Sequence, residues 1–302
     1  MDANPAGKGK SGDPDPPHDG WNVPLLADGQ IVEQPAKQNT LTKRYTEASL
    51  RFIEQNQKEP FFLYLAHTFP HVPMFASEDF RGKSRAGIFG DAVEELDWSV
   101  GQILNQLSDL KLAERTLVVF TSDNGPWLIM GRQGGSAGPL RDGKGSTWEG
   151  GMRVPGIFWL PGRIKPTVTH SIASTMDLLP TVLSLAHCKL PEKTIDGRDI
   201  SPLLFSDSLE TNKMGDDKPF FYYRGDQLFA CRVGEWKAHF RTQTGYGKAA
   251  AETHDPPLLF HLGTDPGEHR NVANAHPDVI EQIRSLVQSH QHSITPVPSQ
   301  LQ

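Results

Sequence analysis

Two short apolar runs stand on either side of a long stretch of helical periodicity, and this pattern constrains the fold most. The runs are Phe61–Ala66 (FFLYLA) and Thr116–Thr121 (TLVVFT). Between them, from Asp91 to about Leu110, Val93, Leu96, Val100, Ile103, Leu104 and Leu107 recur at the spacing of an amphipathic helix. Strand-length runs with no polar alternation suit strands covered on both faces, as in a parallel sheet. A strand, helix, strand order therefore predicts an α/β layered domain. Val154–Leu160 reads as a further strand. Thr46 to about Gln57 reads as a helix closed by Glu59-Pro60. Ser174 with Asp177 forms a capping-box pattern opening a helix that contains Leu178, Leu179, Val182, Leu183 and Leu185.

Near residue 215 the pattern changes. Pro219–Tyr223, Leu228–Val233, Glu235–Phe240 and Leu258–Leu262 read as short strands, and Val279–Val287 as a helix. These predict a small antiparallel sheet with one terminal helix. The expected organisation is a tail or loop over 1–20, an α/β domain over 21–215 and a smaller α+β unit over 216–302. Residues 1–20 are rich in Pro, Gly and Asp and are expected to be disordered or exposed. They contain no apolar segment of the kind a signal peptide needs, so the compartment is left open.

Composition removes several functions. Apolar residues make up 37% of the chain, with 28 glycines besides, which is an ordinary globular content. No 18-residue apolar run is present, so no membrane span is expected. Thirty basic against 36 acidic residues give a net charge of −6 without a basic block, so nucleic acid is not an expected partner. Cys188 and Cys231 form no metal knuckle, and buried free thiols are expected at both.

Three loop motifs carry the candidate chemistry. Thr121-Ser122-Asp123-Asn124-Gly125-Pro126 follows a strand, at the sheet end where α/β domains bind ligands. Asp123 and Asn124 offer hard oxygen donors suited to Ca²⁺ or Mg²⁺, although Asp-Asn-Gly is also ordinary turn chemistry. Lys144 lies between glycines in Arg141-Asp142-Gly143-Lys144-Gly145-Ser146, where its amine can approach an anion closely. Gly138 to Lys144 fits a P-loop spacing. However, Gly145 stands where a Ser or Thr must hold magnesium, and the strand-to-helix context is absent. His67 and His71 flank a segment in which Pro70 and Pro73 exclude the helix a two-histidine zinc site would need.

FFLYLAHTFPHVPMF, GDAVEELDWSVGQIL, LVVFTSDNGP, GPLRDGKGSTWEGGMRVPGIFW, STMDLLPTVLSLA and HDPPLLFHLGTDPGEHRNV resemble, in order, consecutive blocks of the sulfatases, arylsulfatase type. The resemblance runs from about Trp21 to Val287. It implies an alkaline-phosphatase-like α/β fold with a layered, mostly parallel sheet and a smaller C-terminal antiparallel sheet. It also implies a sulfuric ester hydrolase acting on a sulfate-ester small molecule or a sulfated glycan. Asp123 and Asn124 would be two Ca²⁺ ligands, Lys144 would bind sulfate oxygens, and His71 would stand near the leaving group, with His67 a further candidate.

The family's formylglycine arises from the Cys or Ser of C/S-x-P-x-R. Neither cysteine has that context, and Ala137-Gly138-Pro139-Leu140-Arg141 has alanine at the nucleophile position. The paired aspartates that complete the calcium site are missing too, as are the Lys and His that follow the nucleophile. The chain thus resembles a C-terminal portion of a sulfatase with part of a calcium site. Alone it is expected to be inactive, and to expose a sheet edge and an apolar face. A non-catalytic binder of sulfated ligands and a phosphate or phosphonate ester hydrolase of the same fold are the alternatives.

Overall fold

The computed structural model describes residues 22–205, 218–247 and 249–295, so the expected N-terminal tail lies outside the described residues. The chain divides into two compact units. One runs to Val118 and includes Trp127–Ser136; the other comprises Val119–Pro126 and the chain from Ala137 onward.

In the first unit, β1 (Leu25–Ala27) and β2 (Gln30–Glu33) form an antiparallel hairpin. Its two loop residues, Asp28 (φ 49°) and Gly29 (φ 77°), both have positive φ, as the twist of a two-residue hairpin demands. Two helices follow. α1 (Leu41–Gln55) starts five residues before the predicted Thr46, and α2 (Gly87–Asp109) agrees with the periodic stretch. They are joined by a buried hydroxyl pair, Thr46 Oγ1 to Ser99 Oγ at 2.6 Å, and by Gln106 Nε2 donating to the Leu50 carbonyl. Asp91 accepts the backbone N–H groups of Gly82, Lys83 and Ser84, tying the turn before α2 to its first turn. Ala36, Leu41, Phe69, Phe75 and Ala92 form the apolar core.

The Phe61–Ala66 run corrects the sequence reading. Among the described residues it pairs into no sheet. It still alternates like a strand, with Phe61, Leu63 and Leu65 half-buried while Phe62 is 72% and Tyr64 81% exposed. An unbroken apolar run predicts two covered faces, whereas here only one face is covered.

In the second unit β3 (Val118–Thr121) lies beside β4 (Gly156–Trp159), each shorter than predicted. A short helical turn, α3 (Glu149–Met152), precedes β4. The predicted capping box is formed: Ser174 Oγ accepts from Met176 N and Asp177 Oδ2 from Ser174 N, ahead of α4 (Leu178–Leu185). After α5 (Ser201–Phe205) comes the predicted antiparallel sheet. Its strands are β5 (Phe220–Arg224), β6 (Gln227–Val233), β7 (Trp236–Thr242) and β8 (Glu252–His261), in that order.

α6 (Pro277–Ser293) packs Ile280, Ile283 and Val287 against Cys231, Ala238 and Leu259 on one face of this sheet. The opposite face is available for the loops that precede β4. Cys231 is buried as expected, and burial pushes its thiol up to about 12; Cys188 is instead exposed, and both are free. No helix among the described residues is long and apolar enough to cross a membrane.

Candidate functional site

The loop after β3 and the lysine loop are joined through their backbones. Lys144 N donates to the Pro126 carbonyl at 2.8 Å, and Gly125 N donates to the Gly151 carbonyl at 3.1 Å. Asp123 is exposed. Asn124 Nδ2 donates to the Gly125 carbonyl, which leaves its side-chain oxygen as the acceptor atom, and Ser122 Oγ donates to the Asn124 carbonyl. The structure therefore brings Asp123, Asn124 and Lys144 onto two loops that share hydrogen bonds.

Glycine at 125 is required by this contact, since a Cβ there would stand 1.8 Å from the Gly150 carbonyl oxygen. Gly125→Ala is expected to cost about 1–3 kcal/mol through overpacking. A variant with the wild-type unfolding midpoint would contradict this.

A buried ionic cluster fixes the lysine loop from behind. Lys237 and His239 sit two residues apart on the same face of β7, both fully buried. Lys237 Nζ donates to the Thr147 carbonyl and to Glu149 Oε1, each at 2.8 Å, and lies 3.3 Å from Glu268 Oε1. Its ammonium also stands over the Tyr222 ring at 4.4 Å. Glu268 Oε2 accepts the backbone N–H of Glu149 at 2.6 Å, and Oε1 lies 2.6 Å from His239 Nε2.

Trp148 lies between the His239 ring, with centroids 4.2 Å apart, and the Arg141 guanidinium, 3.7 Å from its own centroid. Arg141 Nη1 in turn donates to the Glu268 carbonyl. Burial opposes the charge on Lys237, yet Tyr222, Glu149 and Glu268 outweigh it and raise its pKa. Burial likewise raises that of Glu268, but Lys237 and the His239 hydrogen bond hold it below the ordinary carboxylate value. Both groups are therefore charged at neutral pH. Lys237, His239, Glu149 and Glu268 lie outside the three loop motifs that carry the chemistry expected from the sequence.

In the other unit, His71 is exposed; its Nδ1 lies 2.7 Å from the Val72 carbonyl oxygen and its ring centroid 5.5 Å from that of Trp127. His67 is half-buried, with Nε2 3.4 Å from Ser99 Oγ on α2, and burial lowers its pKa.

Calcium needs about six to eight oxygen donors. Asp123 and the Asn124 side-chain oxygen have the right hardness. Among the described residues, however, no group of three or more His, Cys, Asp or Glu converges on a cation position. The donor chemistry fits calcium, but the donor number does not complete a site.

A pair of oxygen-donor side chains after β3 is thus linked through the backbone to a glycine-flanked lysine, at the strand end where α/β domains bind ligands. Residues 6–188 match the family profile described as Sulfatase, and residues 215–302 match that of the C-terminal region of aryl-sulfatase. The chain belongs to the sulfatase family. It is 42% identical to N-acetylgalactosamine-6-sulfatase of Canis lupus familiaris over 93% of its own length and 60% of that protein. It is also 42% identical to arylsulfatase A of Homo sapiens, over 87% of its length and 55% of that protein. The chain thus spans somewhat more than half the length of these curated relatives.

Among solved structures, the PsFucS1 sulfatase from Pseudoalteromonas sp. is 26% identical with a TM-score of 0.78, covering 89% of this chain and 55% of that one. The phosphonate monoester hydrolase SpPMH from Silicibacter pomeroyi, 18% identical with a TM-score of 0.58, covers 90% of this chain and 65% of that one and shares the fold. The fold is the alkaline-phosphatase-like one that the sequence blocks implied.

Proposed function

We propose that this chain carries the sulfate-binding part of a sulfatase that hydrolyses sulfate esters of an aromatic alcohol or a sugar. The observation that supports this reading is the backbone pairing of Lys144 with Pro126, which holds a flanking-glycine lysine to the Asp123–Asn124 loop. The Lys144 ammonium is the group that would bind sulfate oxygens and stabilise charge developing on them. By motif, His71 is assigned to the leaving-group side and His67 to substrate contact. Asp123 and Asn124 would supply two calcium ligands, and the ion, when bound, would polarise the sulfate.

The family's reaction runs through a formylglycine, and no C/S-x-P-x-R occurs in these 302 residues. The chain by itself is therefore expected to bind sulfate without turning over an aryl sulfate. That same observation favours a second reading, a non-catalytic binder of sulfated ligands.

Calorimetric titration with inorganic sulfate, combined with a 4-nitrophenyl sulfate assay in calcium, tests both. Loss of a charged hydrogen-bond donor corresponds to about 10-fold or more in affinity, so Lys144→Ala should weaken sulfate by at least that factor. Unchanged affinity in that variant would remove the assignment of Lys144. Calcium-dependent turnover by the 302-residue chain would overturn its expected inactivity.

A further inference from the structure

The loop between β7 and β8 lies directly on the lysine loop and carries a half-exposed tyrosine. Gly245 N donates to Asp142 Oδ2 at 3.2 Å, while Asp142 Oδ1 accepts the N–H of Gly143 at 2.8 Å, so one carboxylate clamps both loops. The contact is backbone on backbone: a Cβ on Gly245 would stand 2.1 Å from the Lys144 carbonyl oxygen. A Cβ on Gly145 would stand 3.0 and 3.2 Å from Tyr246 Cε2 and Cδ2, so the tyrosine ring lies over the bare Cα of the residue that follows Lys144. Arg224 Nη1 also reaches the Thr244 carbonyl at 3.5 Å.

Tyr246 is 50% exposed and has φ 56°, a left-handed conformation that an aromatic residue rarely adopts and that the surrounding loop must enforce. A large aromatic ring is thus held in an unfavourable backbone state, half in solvent, beside the lysine proposed to bind sulfate.

We propose that Tyr246 is a specificity-determining residue, the platform on which the organic ring of the sulfate ester stacks while Lys144 holds its sulfate. This rests on the reading of Lys144 given above. The ligand class is a sulfate ester of a flat aromatic ring or of a sugar with an apolar face. Both present a surface that a tyrosine ring can cover, in offset or edge geometry for the aromatic case. A linear alkyl sulfate offers no such surface.

The test titrates the full 302-residue chain with inorganic sulfate, methyl sulfate and 4-nitrophenyl sulfate. Aromatic pairing corresponds to about 2- to 10-fold in affinity. The wild-type chain should therefore prefer 4-nitrophenyl over methyl sulfate by about that factor. Tyr246→Ala should abolish the preference while leaving inorganic sulfate unchanged, and Tyr246→Phe should keep it. Equal loss of all three ligands in Tyr246→Ala would make the ring merely structural, and a retained preference would exclude it from recognition; either overturns the proposal. If Lys144→Ala leaves inorganic sulfate affinity unchanged, the Lys144 reading fails first and the platform fails with it. Loss in Lys144→Ala with no selective effect at Tyr246 sinks the platform alone.

Discussion

Replacing Lys237 with methionine is expected to lower the unfolding free energy by about 3–5 kcal/mol, the cost of breaking a buried ion pair from one side. The ammonium is the shared counter-ion of two carboxylates that have no access to water. Without it, Glu149 Oε1 loses its lysine donor. Glu149 Oε2, which already accepts no hydrogen bond, retains only Arg232 Nη1 at 3.6 Å. Glu268 keeps the Glu149 N–H and His239 but loses the positive charge that holds it ionised.

Methionine fills much of the lysine stem's volume, so the loss measured by chemical unfolding reports charge rather than a cavity. The double variant Lys237→Met/Glu149→Gln removes one of the two stranded charges and should recover part of the loss. A single variant within about 1 kcal/mol of wild type, or a double variant worse than the single, would show that the cluster does not hold the unit together. Because Glu149 and Thr147 belong to the lysine loop, the same substitution should also loosen the support behind Lys144.

The helices and the C-terminal sheet were legible because their apolar residues follow a single period. The 3.6 periodicity over Val93–Leu107 became α2, and the short runs after residue 215 became β5 to β8 in antiparallel order. The β1–β2 hairpin was missed although its signal is local. Asp28-Gly29 between two short apolar segments is a strong hairpin dipeptide, and both residues adopt the positive φ it predicts.

The Phe61–Ala66 run was misread for the opposite reason. Period cannot show whether an all-apolar segment has one covered face or two, and exposure of Phe62 and Tyr64 gives the answer only in three dimensions. The loops of the candidate site were legible as glycine-spaced motifs. The charges behind them were not, because Lys237 and His239 alternate with Trp236, Ala238 and Phe240 along β7. A two-residue alternation of polar and apolar side chains reads as a strand with one wet face. The polar face is instead covered by Trp148, Glu149 and Glu268, which arrive from 88 and 29 residues away in sequence for the Lys237–Glu149 and His239–Glu268 contacts. No local pattern carries that information.

Acidification should act on this same cluster through His239. Its ring is buried, and burial pulls its pKa down to about 4. The geometry accounts for the direction. In the neutral form Nε2–H donates to Glu268 Oε1, whereas Nδ1 is buried with no partner, so a second proton would place a charge where nothing accepts it. Lys237 on the same strand adds positive charge nearby and opposes that proton further.

The unfolded chain, with an ordinary histidine pKa of about 6.5, binds this proton between pH 6.5 and 4 while the folded chain refuses it. Stability is therefore fully present above about pH 6.5 and falls as pH drops toward 4, by about 3 kcal/mol from this group. Glu268, held below its ordinary value, contributes in the same direction at the acid end of that range and below it. His67, lowered by burial, adds to the decline near neutrality, while Glu95, raised by burial, opposes it.

His239→Gln separates these contributions, because a glutamine amide can donate to Glu268 and does not titrate. Unfolding free energies measured from pH 7.5 to pH 4.5 should fall less steeply in the variant than in the wild type, with the difference concentrated below pH 6.5. Parallel curves would mean that His239 takes up its proton over the same pH range in the folded and unfolded chains, and that its burial beside Lys237 does not oppose the charge.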